Sequence, residues 1–329
     1  MNASIRRTLL IIAISLHACN SGKLATWEVI RHEDMAHAAA IESIVFDING
    51  EGWVLTWAEL SKVDNNGRDW TPILTNEGGR RAFYGLAFTD PASAFVVGTE
   101  QKSEGYTALI LRTLDGGKTW REMPTDVRAE PDRNKRPALH SISLCGDQTG
   151  WSVGENLILH TKDGGESWQT QRDNVTDGRL FSVACVSAQR AWAVGTGGLL
   201  LRTVDGGATW TTHESHTKDD LMRVRFAGEV GWIVGGADGR GVVLRTIGSG
   251  ESWQVQKLQV EAGLFDIFQV GDSAWISGEK GTILRSRDRG QSWLPEKTPT
   301  NENITSLFFI SPNHGWAGAD RKTLLRFSD

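Results

Sequence analysis

The stretch Leu-Leu-Arg-Thr-Val-Asp-Gly-Gly-Ala-Thr-Trp at positions 200–210 predicts a strand, a tight turn and the start of a second strand. Asp205-Gly206-Gly207 is typical of a hairpin turn, because glycine adopts positive φ angles and a short aspartate side chain accepts hydrogen bonds from turn amides. Trp210 then offers a large apolar surface that can pack beside the turn.

The same pattern recurs along the chain at 113–120, 161–168 and 203–210, and in worn form at 246–253 and 286–293. An earlier copy at 63–70 is interpreted as carrying one extra residue. The aspartates expected in these turns are Asp64, Asp115, Asp163, Asp205 and Asp288. The closing tryptophans, at 70, 120, 168, 210, 253 and 293, are 40 to 50 residues apart. This spacing, with short strands and one turn motif per unit, predicts a β-propeller.

Each repeat contains four candidate strands, and the second of them opens with an aromatic residue. These aromatics are Trp53, Phe95, Trp151, Trp192, Trp232, Trp275 and Trp316. Seven aromatic residues begin a second strand, but only six complete hairpins are present, since the last repeat stops at Asp329. The segment Thr26–Ile30 can supply the missing strand. The prediction is therefore an all-β, seven-bladed propeller of four-stranded blades over residues 24–329, closed by its N- and C-terminal strands.

Residues 1–18 predict a lipoprotein signal peptide. Arg6 and Arg7 precede an apolar run at 9–16 that is too short to span a bilayer. Leu16-His17-Ala18-Cys19 is similar to a bacterial lipobox, which predicts lipidation of Cys19, a short tether at 19–23 and a periplasmic or cell-envelope lipoprotein. The alternative is an ordinary secretory signal with an incidental cysteine.

The charge balance limits the kinds of partner. The chain carries a net charge of −5, which becomes −7 once Arg6 and Arg7 are removed with the signal. An acidic chain is poorly suited to nucleic acid or to an anionic membrane surface as its main partner. We expect a monomer that binds no nucleic acid and reaches the membrane through its lipid anchor.

Two cysteines remain within the repeats, Cys145 and Cys185. An export route permits a disulfide. However, equivalent strands of neighbouring blades are expected to lie too far apart for the Cα spacing that a disulfide requires. We therefore expect two small, buried, reduced side chains.

The pattern Ser/Thr-x-Asp-x-Gly-x-Thr/Ser-Trp resembles the Asp-box or BNR repeat of sialidases, some glycosidases and sortilin-type receptors. The fuller unit, Gly-Trp-x-Val-Gly followed by Leu-Arg-Thr-x-Asp-Gly-Gly-x-Thr-Trp, resembles the photosystem II stability and assembly factor family over nearly all of residues 24–329. The resemblance implies an exported, non-enzymatic, seven-bladed protein that holds membrane-protein assembly intermediates. It does not imply a photosynthetic host.

Catalytic motifs do not stand out in the repeats. A sialidase needs an arginine cluster and a tyrosine nucleophile, usually with Arg-Ile-Pro, but that tripeptide does not occur and the chain has two tyrosines, Tyr84 and Tyr106. A glycosidase needs two carboxylates facing one cleft, and no motif marks such a pair. The loop at 213–220 contains two histidines and could offer metal ligands, although a solvated loop is the favoured interpretation. We expect no catalytic residue, metal or cofactor.

Two features are candidates for binding. An arginine recurs three residues before the turn aspartate. His160 stands at this position in the third repeat and Ser61 in the first. The resulting ring of side chains is either structural or a binding feature. Its members are Arg112, Arg202, Arg245, Arg285 and Arg326. The second feature is a pair of expansions, at 100–106 and Pro124–Pro137, which are either a partner-binding surface or tolerated surface excursions. Their tentative binding residues are Tyr106, Arg128, Arg133, Lys135 and Arg136.

The sequence thus predicts an exported, lipid-anchored propeller that binds a protein partner, such as a membrane-protein complex or an assembly intermediate. The alternative is an Asp-box glycan-binding protein or a sialidase-like glycosidase.

Overall fold

The computed structural model describes residues 26–31, 39–47, 49–76, 78–171, 178–258 and 260–328. Its strands form seven separate four-stranded antiparallel sheets, so the predicted seven-bladed propeller is confirmed. In each blade we call the innermost strand a and the outermost strand d. Because successive strands run in opposite directions, the b–c turns and the connections from d to the next blade lie on one face, the connection face. The a–b and c–d turns lie on the opposite face, the turn face.

The strands follow one another around the ring in chain order. Blade 1 contains β2 (Ile41–Phe46), β3 (Gly52–Thr56), β4 (Glu59–Asp64) and β5 (Asp69–Thr75), and blade 2 contains β6 (Arg81–Asp90), β7 (Ser93–Lys102), β8 (Gly105–Thr113) and β9 (Arg121–Glu122). Blade 3 contains β10 (Leu139–Cys145), β11 (Thr149–Gly154), β12 (Leu157–Thr161) and β13 (Gln169–Thr170), and blade 4 contains β14 (Leu180–Ser187), β15 (Arg190–Gly195), β16 (Leu200–Thr203) and β17 (Thr211–Thr212). Blade 5 contains β18 (Leu221–Ala227), β19 (Val230–Ala237), β20 (Arg240–Thr246) and β21 (Gln254–Gln256), and blade 6 contains β22 (Leu264–Val270), β23 (Ser273–Gly278), β24 (Ile283–Ser286) and β25 (Leu294–Glu296). Blade 7 contains β26 (Ile304–Ser311), β27 (His314–Ala319), β28 (Leu324–Ser328) and the N-terminal strand β1 (Thr26–Arg31). Short 3-10 turns occur at Asn65–Gly67, Arg133–Lys135, Thr196–Gly198 and Glu279–Gly281.

The N-terminal strand closes the ring. Strand β1 pairs with β28, which places Trp27 opposite Phe327 in the outermost position of blade 7. Trp27 is 7% exposed, and its ring centroid lies 5.1 Å from that of Phe327. Its Nε1 donates to Glu296 Oε2 of blade 6 at 2.8 Å. One strand therefore ties the two ends of the chain together and joins two blades.

The blades pack through the aromatic that opens strand b. Trp192 and Trp232 are almost fully buried, each against the c–d turn of the following blade. A Cβ added at Gly250 would lie 2.3 Å from Trp192, and one at Gly290 would lie 1.9 Å from Trp232. Both glycines also adopt positive φ. This explains why even the worn repeats keep the second glycine of the turn.

The aspartate of the c–d turn organises the turn itself. Asp115 Oδ1 accepts the backbone N–H of Thr119 at 2.9 Å, and its Oδ2 accepts the Thr119 hydroxyl at 2.7 Å. These hydrogen bonds, with one from Thr113, lower the pKa of Asp115 to about 2. Asp163, Asp205 and Asp288 make the same contacts with the residue four positions later. These four carboxylates thus serve the turn.

Two sequence-based assignments in blade 1 are wrong by one position. Strand pairing places Lys62, and not Ser61, opposite Trp53, just as Arg112 lies opposite Phe95. The blade-1 turn therefore has no extra residue, and Asn65, and not Asp64, occupies the aspartate position. Asn65 Nδ2 donates to Asp69 Oδ2 at 3.0 Å. The misalignment arose because the chain carries Asn where the other regular copies have Asp.

The expectation of reduced cysteines is also wrong. Cys145 and Cys185 form a disulfide, with their Cα atoms 5.8 Å apart. Both lie on innermost strands, where neighbouring blades converge on the propeller axis. Cys185 N–H donates to Ser143 Oγ at 3.1 Å, and Val183 N–H donates to Ser141 Oγ at 3.2 Å. An average inter-blade separation does not apply to the inner strands, because neighbouring blades lie closest together there.

Candidate functional site

The inner strands of blades 1 to 5 enclose a central cavity of about 270 Å³. Each inner strand has a register irregularity near its start, for example between Ile41 and Ser43. A bulge changes the direction of a side chain within a strand. Consecutive residues such as Glu42 and Ser43, or His140 and Ser141, consequently both line the cavity.

An ion cluster lies beside this cavity. Asp266 is 0% exposed, with Arg223 Nε 3.2 Å from its Oδ1 and Arg225 Nη2 3.1 Å from its Oδ2. Its oxygens also accept the backbone N–H groups of Ile267 at 2.8 Å and Leu307 at 2.9 Å. Both oxygens are therefore engaged, and the carboxylate connects blades 5, 6 and 7.

Glu42 is a second carboxyl group at the cavity. Burial raises the pKa of Glu42 to about 7, against an opposing effect of Arg223, and the nearby Asp320 raises it further. The Glu42 carboxyl group therefore keeps its proton to a higher pH than an exposed glutamate does.

Aromatic side chains form an arc on the connection face of the cavity. The rings of Tyr84 and His140 lie 5.1 Å apart, and Phe181 continues the arc 6.3 Å from His140. Arg136 Nη2 lies 3.5 Å from the Tyr84 hydroxyl. We call Tyr84, His140, Phe181 and Arg136 the aromatic rim.

A charged pair extends this rim. Glu155 lies 3.3 Å from His140 Nε2, and its Oε1 lies 2.7 Å from Arg179 Nε. The hydrogen bond from His140, together with that from Arg179, lowers the pKa of Glu155 below its usual range. The cavity and rim therefore contain four guanidinium groups and three carboxyl groups, and two of these carboxyl groups, Asp266 and Glu155, are ion-paired. These guanidinium groups belong to Arg136, Arg179, Arg223 and Arg225.

The two expansions lead to this rim. The segment at 124–137 begins at the outer edge of blade 3, where Thr125 bridges to Trp168. It then meets the tip of the β7–β8 hairpin, where Glu130 and Tyr106 exchange two backbone hydrogen bonds of 2.8 Å. It ends at Arg136, next to Tyr84. The connection between the two expansions was not predicted from the sequence.

The tentative binding residues are distributed along this path. Arg128, Arg133 and Lys135 are exposed, while Tyr106 and Arg136 are half-buried. Lys135 Nζ lies 3.9 Å from Asp132. Arg136 is thus the member of the set that the fold brings to the cavity, and the other cations lie along the approach to it.

The arginine ring lies elsewhere, between blades and away from the axis. Each of four members stacks on the aromatic directly across from it in strand b, at 5.0 to 5.4 Å; the pairs are Arg112 with Phe95, Arg202 with Trp192, Arg245 with Trp232 and Arg285 with Trp275. Arg326 instead pairs with Glu28 on the closing strand. His160 stacks on Trp151 at 4.6 Å. This placement favours a packing role for the ring.

The loop at 213–220 was the candidate for metal ligands. In the loop at 213–220, His213 packs on Trp192 and His216 pairs with Glu214, so the two histidines have different neighbours. Within the described ranges, no three His, Cys, Asp or Glu side chains converge as a metal site. No helix of the described residues is long and apolar enough to cross a membrane. Cys19 and the segments at 1–18 and 19–23 lie outside the described residues.

Sequence reasoning missed Glu42, Arg223, Arg225 and Asp266. A usable signal was present, since each is a charged residue in an inner strand whose counterparts in other repeats are mostly small or apolar. A search confined to what the repeats share passes over residues that occur once.

These features define the class of the protein: a BNR-type seven-bladed propeller with a basic, aromatic-rimmed central cavity. Within that class, the chain belongs to the family described as photosynthesis system II assembly factor YCF48, whose model matches residues 68–177 and 170–263.

Individual relatives agree with this assignment. The photosystem II stability/assembly factor HCF136, chloroplastic, of Oryza sativa subsp. japonica is 31% identical over 104 residues, which are 31% of this chain and 23% of that protein. The photosystem II assembly lipoprotein Ycf48 of Synechococcus sp. (strain CC9902) is 37% identical over 84 residues, 25% of this chain and 22% of that protein. The matches thus span less than a quarter of the length of these relatives.

Solved structures share the fold over nearly the whole chain. The structure of YCF48 bound to D1 peptide aligns with a TM-score of 0.68 and 22% identity, covering 93% of this chain and 98% of that one. Virginiamycin B lyase from Staphylococcus aureus aligns with a TM-score of 0.73 and 13% identity, covering 93% and 100%. Such low identities establish the architecture and leave the activity to be argued from the site.

Proposed function

We propose that this protein is an exported, lipid-anchored, non-enzymatic assembly factor that binds a segment of a membrane protein at the connection face. The observation that carries the proposal is the convergence of the long expansions on a basic, aromatic-rimmed cavity. Family membership supports the same role, since one relative of this fold is described as bound to a D1 peptide.

The chemistry of the rim suits a polypeptide. Tyr84 and Phe181 offer flat apolar surface, and Arg136 adds a cation beside it. Aromatic and arginine side chains contribute much of the binding energy at protein interfaces. The excess of guanidinium groups in an acidic molecule favours a partner segment that carries carboxylates.

The expansions extend this surface outward. Arg128, Arg133 and Lys135 are exposed along the approach to the rim, and a polar, charged border is typical of a protein interface. Because Glu130 and Tyr106 join the two expansions by backbone hydrogen bonds, the surface is preorganised, which reduces the entropy lost on binding.

The glycosidase alternative is less well supported. Two carboxyl groups do lie at the central cavity, as that mechanism requires. Asp266, however, is fully buried, ion-paired to Arg223 and Arg225, and bonded to two backbone N–H groups, so it has no free lone pair facing a substrate. The cavity is better suited to holding a partner than to turnover.

Export and anchoring are parts of the same proposal. Residues 1–18 act as the signal, Cys19 carries the lipid, and residues 19–23 connect it to a monomeric propeller. The disulfide between Cys145 and Cys185 supports an oxidising compartment. A relative described as an assembly lipoprotein supports the anchor. We place the protein at the cell envelope or in an equivalent lumenal compartment.

The test compares two charge reversals of equal size in the tagged protein. Arg133→Glu with Arg136→Glu alters the connection face, and Lys118→Glu with Arg287→Glu alters exposed positions on the turn face. The first variant should lose the membrane protein recovered with the wild type from solubilised membranes, and the second should retain it. Equal recovery by both variants would contradict the assigned face. Hydrolysis of a sialoside or glucan by the purified wild type would contradict the class.

A further inference from the structure

Two blade interfaces on the turn face are joined by an ion pair built from the same positions. The strand-c arginine of one blade meets a glutamate in the c–d turn of the next: Arg112 with Glu166 at 2.5 Å, and Arg202 with Glu251. Arg121 also lies 2.6 Å from Glu166. We call this arrangement the interface clamp. In it, a carboxylate lies beside a cation that is stacked on the strand-b aromatic.

The interface between blades 3 and 4 lacks both halves of the clamp. His160 stands at the arginine position and Ala208 at the glutamate position. His160 still stacks on its aromatic, with ring planes 12° apart and centroids 4.6 Å from Trp151. A cavity of about 320 Å³ lies between His160 and the Gly207 turn of blade 4. Its volume is at the lower end of the range for ligand pockets.

The wall of this cavity contains an unsatisfied polar group. His160 is 6% exposed, and within the described part of the chain its Nε2 has no hydrogen-bond partner. Buried polar atoms are nearly always paired, so this nitrogen is a ready position for a ligand. The nearby Gln171 cannot serve it, because its Oε1 already accepts Trp151 Nε1 at 3.0 Å and Trp210 Nε1 at 2.9 Å.

The charges at the cavity favour an anion. Lys162 is exposed on the lining and makes no ion pair with any described residue. The one carboxylate of the lining, Asp163, is engaged by the Thr161 hydroxyl at 2.7 Å and by Ser167 N–H and hydroxyl at 3.0 and 2.6 Å. Burial, with the neighbouring Lys162, lowers the pKa of His160 to about 4, so at pH 7 the neutral ring can donate one N–H.

We propose that the cavity between His160 and Gly207 binds a carboxylate side chain of a polypeptide, supplied from outside in the place that Glu166 and Glu251 occupy at the clamped interfaces. The Lys162 ammonium and the His160 N–H are the hydrogen-bond donors to this carboxylate, and Gln169 also lines the cavity. A glutamate fits because its side chain is long enough for the carboxylate to extend past Lys162 and reach the buried His160 ring. The clamp glutamates likewise extend from their turns to the stacked side chain of the preceding blade. This site lies on the turn face, and the start of the 124–137 segment borders it, because Asp126 Oδ1 accepts the N–H and hydroxyl of the lining residue Thr170 at 2.7 Å.

The test uses the purified full chain and two blocked tripeptides, acetyl-Ala-Glu-Ala-amide and acetyl-Ala-Gln-Ala-amide. Binding is followed through the nitrogen resonances of the His160 ring, assigned with a His160→Gln variant. The glutamate peptide should shift these resonances saturably, and the glutamine peptide should bind about tenfold more weakly or worse, since the ionic hydrogen bonds are lost. Acetate should require at least tenfold higher concentration than the glutamate peptide.

Variants separate the site from the fold. His160→Arg with Ala208→Glu rebuilds the clamp, so it should abolish binding of the glutamate peptide without lowering Tm. Lys162→Gln should weaken binding severalfold, whereas Arg287→Gln, at the same turn position of blade 6, should not. Three results would overturn the proposal: no shift of His160 by the glutamate peptide, equal binding by the rebuilt-clamp protein, or acetate acting at the same concentration as the peptide.

Discussion

At the scale of single residues, the chain separates repeated side chains that build the propeller from unique ones that give the cavity its chemistry. Asp115, Asp163, Asp205 and Asp288 recur because each accepts two hydrogen bonds from the residue four positions later in its turn. Glu42, Arg223 and Asp266 occur once each and lie together at the axis. The repeated set could be predicted from the sequence. The unique set is marked only as charged residues in inner strands, and no pattern shows which of these positions face the cavity.

Glu42 should give the protein a measurable pH dependence. Its folded pKa is raised to about 7 from an ordinary value of 4.5, so the folded state binds more protons than the unfolded state between these values. Stability should therefore fall as pH rises from 4.5 to 7, by up to about 3 kcal/mol. Glu42→Gln should be near neutral at pH 4.5 and stabilising at pH 8.

Denaturant unfolding of the wild type and Glu42→Gln at both pH values measures this difference. The exposed Glu51, changed to Gln, is the matched control and should show no such pH-dependent gain. If the effect of Glu42→Gln is the same at pH 4.5 and pH 8, the carboxyl group is not held protonated by the fold.

At the scale of elements, the spacing of the tryptophans predicted the number of blades and the closing strand. This worked because every blade opens strand b with an aromatic residue and six of the seven carry a glycine turn between strands c and d. The disulfide escaped prediction for a geometric reason: Cys145 and Cys185 are ordinary in sequence, and only the convergence of inner strands brings them together. The contact between the extended β7–β8 hairpin and Glu130 also escaped prediction, because its two sides lie in separate insertions.

The closing strand β1 should contribute to the stability of the whole ring. Trp27 packs against Phe327 and Phe309 and bonds to Glu296 in the neighbouring blade. Trp27→Ala should lower the free energy of unfolding by about 3–5 kcal/mol, the range for a buried aromatic. Trp57 is 44% exposed, and Trp57→Ala should cost less than about 1 kcal/mol.

Urea denaturation followed by circular dichroism compares the two variants under the same conditions. A loss for Trp27→Ala no larger than that for Trp57→Ala would show that β1 does not hold the ring closed.

At the scale of the whole molecule, the two faces of the propeller differ in kind. The connection face carries the central cavity, the aromatic rim and both expansions. The turn face is formed by the repeated c–d turns, and at its blade 3–4 interface His160 and Ala208 stand at the two positions of the clamp. Because of this asymmetry, we propose the connection face as the surface for a membrane-protein partner.

Site-specific photo-crosslinking in the native host tests that central claim most directly. A photoreactive phenylalanine analogue replaces Lys135 on the connection face or Arg287 on the turn face, and covalent products are identified by mass spectrometry. Position 135 should yield one defined membrane protein, and position 287 should not yield it. The account would be contradicted if that membrane protein were captured from position 287 and not from 135, or if position 135 captured no protein at all.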